Sequence, residues 1–83
     1  MSRFVVQEGE RADFYFGRVE VRVWCYRERR RLKCKITTDH DVMYPETDSD
    51  AGVSGERVGD DCITVCGRAY TISDCGSITR IDE

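Results

Sequence analysis

The chain holds one proline, Pro45, one histidine, His40, and one tryptophan, Trp24, among 83 residues. So little proline argues against a linker or a low-complexity segment. One histidine, set between Asp39 and Asp41, leaves little from which to build a catalytic pair. No phosphate-binding loop or nucleophile elbow accompanies it. No apolar run approaches the ~20 residues that span a bilayer. The opening residues 1–13 lack the apolar centre of a signal peptide, because charge returns at Glu8. A cytoplasmic chain with no membrane anchor is therefore expected. No two of the five cysteines form the C-x-x-C pair that usually marks a structural zinc site. In a reducing compartment they are expected as free thiols, not as a disulfide framework. A chain this short also has little room for a dry, ligand-sized pocket, so no enzyme activity and no cofactor are expected.

What is present is a mixture of 40% hydrophobic and 35% charged residues. That suits one modest core and a single β-rich domain over residues 1–83. The net charge of −3 conceals a segregation. From Arg18 to Lys35 there are eight basic and two acidic residues, a balance of +6. From Ile36 to Glu83 there are three basic and eleven acidic residues, a balance of −8, and residues 1–17 contribute −1. Charge divided in this way bears on association and not on fold.

Residues 19–26, VEVRVWCY, place small apolar side chains at odd positions and charged or aromatic ones at even positions. Period two with β-branched residues on one face predicts a strand. Residues 32–38 alternate in the same way. A hairpin joining the two sets Cys25 opposite Cys34 and Val23 opposite Ile36, which gathers the apolar side chains on one face. The connecting Glu28-Arg29-Arg30-Arg31 lacks the glycine or asparagine of a tight turn, so a four-residue loop is expected. Residues 7–13 read as a loop or at most one helical turn. Residues 39–61 hold Pro45, three glycines and eight acidic residues against one basic, which reads as a long, flexible acidic loop. Cys62–Cys66 and Ala69–Ile72 read as a second hairpin, turning at Gly67-Arg68 with Val65 opposite Tyr70. The expected fold is all-β or mainly β: a small antiparallel sheet of five to six strands curled into a sandwich or partly open barrel.

Three groups of residues could carry chemistry. A zinc site drawn from Cys25, Cys34, a later cysteine and His40 competes with the simpler reading of buried thiols, and no metal is the expectation. Residues 46–57 resemble a calcium loop only superficially, because Ala51 and Arg57 stand where glycine and glutamate are required. The third group is the outward face of the first hairpin. Arg22, Trp24, Tyr26, Lys33 and Lys35 project together there, with Arg29, Arg30 and Arg31 at the tip. Tryptophan, tyrosine and arginine are the types most enriched at binding hot spots. The expected function is thus a non-enzymatic protein-binding module for a partner with an acidic surface, or for a nucleoprotein complex. Its size and charge match the general profile of small accessory proteins of phages and mobile elements. These include inhibitors of bacterial defence complexes such as anti-CRISPR proteins, which would act in the host cytoplasm. No motif carries that comparison. The alternative is a nucleic-acid-binding module using residues 18–38, opposed by the overall acidity.

Overall fold

The computed structural model describes residues 2–47 and 50–81, and these contain strands and turns but no helix. Strands β3 (Val19–Glu28) and β4 (Arg31–Thr37) pair in the expected register, with Cys25 opposite Cys34, Val23 opposite Ile36, Trp24 opposite Lys35 and Tyr26 opposite Lys33. Their inward residues Val21, Val23, Cys25, Leu32, Cys34 and Ile36 are buried. The turn between them differs from expectation. Glu28 pairs with Arg31, leaving only Arg29 and Arg30 to reverse the chain, with φ of 53° and 69°. Positive φ at both central positions gives the twist that two-residue hairpins require. The fit of the hairpin thus outweighs a cost of about 1–2 kcal/mol for each Cβ in the left-handed region.

Strand β2 (Arg11–Phe16) begins inside the stretch expected to be a loop. Ala12, Phe14 and Phe16 alternate toward the core while Arg11, Asp13 and Tyr15 face outward, a period-two signal obscured by the charges before it. Gly17, φ 65°, opens the two-residue turn that joins β2 to β3.

Two strands also lie within residues 39–61, β5 (Val42–Met43) and β6 (Val53–Arg57). The second is an interior strand, paired on one side with β1 (Ser2–Val6) and on the other with β7 (Cys62–Val65). Its glycine is not loop punctuation. A Cβ on Gly55 would lie 2.2 Å from the Thr64 carbonyl oxygen and 2.5 Å from Phe4 Cζ, so only glycine lets the neighbouring strand and ring approach. Strand β5 stops early for a different reason. Buried Pro45 has no N–H to offer β4. Two residues on, the Thr47 hydroxyl donates to the Leu32 carbonyl at 2.7 Å, doing with a side chain what a continued strand would do with its backbone.

Strand β8 (Arg68–Ile72) follows β7 through Cys66 and Gly67, φ 54° and 79°, and β9 (Ile78–Arg80) is the last strand among the described residues. Ile63 pairs with Tyr70 and Val65 with Arg68, two residues away from the expected register. A slip of two keeps every side chain on its own face, so the apolar pattern cannot distinguish the registers. The turn decides it, with Cys66 accepting positive φ.

The five-stranded sheet runs β1-β6-β7-β8-β9 and the four-stranded sheet β2-β3-β4-β5. They pack as a sandwich, with more strands than the five or six expected. Val53, Ile63, Val65, Tyr70, Ile72 and Ile78 of the first sheet meet the buried side chains of the second, and no polar or charged residue is buried among the described residues. Both edges are pinned. At one, the Phe4 and Phe14 rings meet at a tilt with centres 5.1 Å apart, and Arg57 lies 4.4 Å over Phe16 while donating to the Tyr15 carbonyl at 2.8 Å. At the other, the Thr38 hydroxyl donates to the Gly76 carbonyl at 2.5 Å, and Asp41 accepts the Ile78 amide at 2.8 Å.

Candidate functional site

The outward face of β2, β3 and β4 is built by the same alternation that builds the core. Because Val23 and Cys25 point inward, Trp24 and Tyr26 point outward, and the register brings Lys35 and Lys33 beside them. On the other flank Arg11 is opposite Trp24. The Arg11 guanidinium lies 5.1 Å from the Trp24 ring centre, and the Lys35 ammonium lies 5.4 Å from Trp24 and 5.5 Å from Tyr26. The indole N–H donates to the Thr37 hydroxyl at 2.9 Å. Trp24 is therefore half-buried under its neighbours on a sheet surface. It is neither part of the core nor fully exposed.

The eight residues expected to form the site fall on one face and one tip, but they are not equivalent. Arg22 is committed to Glu20 by a 2.6 Å ion pair. Tyr26 is half-buried, and its hydroxyl is pushed above the ordinary tyrosine range, first by burial and then by Glu28 and Tyr44. Arg29, Arg30 and Arg31 are exposed, and among the described residues they and Lys33 and Lys35 form no ion pair. Arg27, also at this end, is exposed and ion-paired with Glu8 at 2.9 Å and Asp50 at 3.3 Å.

Sequence reasoning missed three contributors. Arg11 was placed in a loop. Tyr15 and Tyr44 are 62% and 63% exposed and add aromatic surface at the two sides of the face. Tyr44 follows β5 by one step, which brings it level with Lys35. Beside it a broad groove of about 990 Å³ runs between Tyr26, Lys33 and Arg31 on one wall and Tyr44, Pro45 and Glu46 on the other. A smaller hollow of about 440 Å³ lies at the tip, lined by Glu28, Arg29, Arg31 and Lys33.

The cysteines divide into inert and accessible. Cys25 and Cys34 are free and buried side by side in the core. Burial pushes the Cys34 thiol up to about 12, with Cys66 and Cys25 adding to the effect. Cys75 is exposed in the turn before β9, where hydrogen bonds first from Ser73 and then from Ser77 hold its thiol below the ordinary range. His40 lies instead beside Gly76, outside the core that holds Cys25 and Cys34. Among the described residues no three metal-ligating side chains converge. No helix of the described residues is long and apolar enough to cross a membrane.

No protein-family model, characterised protein or solved structure matches the chain. The surface itself is what remains to indicate a function.

Proposed function

We propose that this chain is a non-enzymatic protein-binding module that engages an acidic surface of its partner with the outer face of β2–β4 and the tip between β3 and β4. One observation carries the reading. Arg29, Arg30, Arg31, Lys33 and Lys35 stand together without an ion pair among the described residues, next to Trp24, Tyr26 and Tyr44. Two neighbouring arginines of the same hairpin are neutralised, Arg27 by Glu8 and Asp50 and Arg22 by Glu20. A cationic cluster left over beside aromatic surface matches the composition of interface hot spots. A single small domain with this surface acts by occupying a face of a larger assembly, as small inhibitors of host defence complexes do.

Nucleic acid fits this face less well. Base stacking needs an open aromatic face, whereas Trp24 is flanked by Arg11 and Lys35 and has given its N–H to Thr37. Glu28 also lines the groove, and Glu46 and Asp50 beside it are paired with Arg68 and Arg27, so its lining carries acidic as well as basic groups and suits a continuous phosphate backbone poorly. Affinity capture from lysate of the host, with nuclease treatment, tests the reading when run in parallel with a Lys33→Glu/Lys35→Glu variant. A protein retained after nuclease by the native chain and lost by the charge-reversed one is the expected result. Capture that vanishes with nuclease would move the function to nucleic acid.

A further inference from the structure

Resting on that reading, we infer that Arg29 and Arg30 are its specificity-determining contacts, held in a strained turn so that their guanidinium groups can grip clustered carboxylates on an acidic protein segment. Three residues other than glycine have positive φ among those described, and two of them are these adjacent arginines. A turn of this type prefers asparagine followed by glycine, which adopt positive φ at little steric cost. Two arginines give up that advantage at both positions. The pairing of β3 with β4 repays the backbone cost, but the two arginine side chains take no part in it. Among the described residues neither side chain forms an ion pair, and at the turn the Arg30 carbonyl accepts from Arg27 at 3.2 Å. Strain at a tip whose side chains do no work inside the fold points outside it.

The surroundings indicate what the tip grips. Arg29 lines the small hollow with Arg31 and Lys33, and Arg30 lines the large groove with Tyr26, Lys33 and Tyr44. The two arginines thus address adjacent depressions that share Glu28, Arg31 and Lys33. Guanidinium groups bind carboxylates in a planar, two-pronged geometry. An extended segment carrying several Asp or Glu side chains, crossing from one depression to the other, meets a cation at each step and aromatic surface between. Glu28 between the two depressions, and the paired Glu46 and Asp50 at the far side of the groove, bound the cationic stretch, which favours a short acidic segment over a polymer of phosphates.

The test replaces the strained pair by its unstrained equivalent, Arg29→Asn/Arg30→Gly. Binding of a fluorescein-labelled twelve-residue Asp/Glu-rich peptide is followed by anisotropy at low ionic strength, beside a single-stranded DNA of matched charge, and thermal unfolding is measured alongside. The variant is expected to unfold about 4–8 °C higher and to bind the peptide about tenfold more weakly. A higher midpoint with unchanged peptide affinity overturns the inference, and so does a midpoint that fails to rise. Tighter binding of the DNA than of the peptide by the native chain overturns the choice of partner. The Lys33→Glu/Lys35→Glu variant separates the two levels. If it loses the peptide while the turn variant keeps it, only the role of Arg29 and Arg30 falls. If neither variant loses it, the proposed face falls as well.

Discussion

Individual side chains in this molecule divide by which way alternation points them, and the consequences are measurable one residue at a time. Trp24 is the clearest case. It is held on the outer face by one hydrogen bond and two cation–π contacts. Trp24→Ala should therefore cost about 1–3 kcal/mol, seen as a lower denaturant midpoint, and leave a folded protein. Loss of the fold altogether would mean that the indole supports the core. The thiols offer a second check. Only the thiolate reacts with alkylating agents. Native labelling by iodoacetamide at pH 8, read by mass spectrometry, should modify Cys75 first and leave Cys25 and Cys34 intact until the protein is unfolded, because the burial that raises Cys34 to about 12 also hides it. Prompt modification of Cys34 in the native protein would contradict the register of the first hairpin.

At the scale of the strand, the sequence was legible where alternation was strong and opaque where a strand lacks apolar residues. The hairpin of β3 and β4 could be read to the residue, because Val21, Val23, Cys25, Leu32, Cys34 and Ile36 share one phase. Strand β6 could not, because only Val53 among its five residues is apolar. Its place is set by pairing on both sides and by the ring of Phe4 over Gly55, neither of which leaves a local signal. Likewise, the turn at Arg29-Arg30 violates turn preference, so propensity pointed to a longer loop. The candidate face was legible for the same reason as the core, since one follows from the other. Arg11 and Tyr44 were lost with the strands that carry them. Two outcomes follow. Hydrogen exchange should protect amides within residues 54–57 more than those of the Gln7–Glu10 turn, although both stretches are rich in polar residues. Gly55→Ala should destabilise by about 1–3 kcal/mol, since its methyl must displace backbone or ring.

Groups that reach from one sheet to the other tie the sandwich at its edges, and among them Asp41 makes it sensitive to acid. The carboxylate accepts the amides of Ile78 and Val42, which hold its pKa below the ordinary 3.8. A carboxyl whose folded pKa is depressed contributes stability that is complete above its unfolded value and lost as pH falls through the folded one. The native protein should thus lose stability below about pH 4. Asp41→Asn should be less stable at pH 7 and show a shallower decline in acid. Parallel pH profiles for the two proteins would show that the carboxylate contributes nothing.

The same cross-sheet contacts bear on how the protein behaves when crowded. Open strand edges are templates on which other chains can add. Here the Tyr15 carbonyl on β2 is occupied by Arg57, the first amide of β9 by Asp41, and the flank of β4 beyond β5 is covered by buried Pro45 and the Thr47 hydroxyl. Side chains, two of them reaching across from the other sheet, thus occupy backbone groups at three of the margins, which leaves fewer open positions there on which another chain could add at high local concentration.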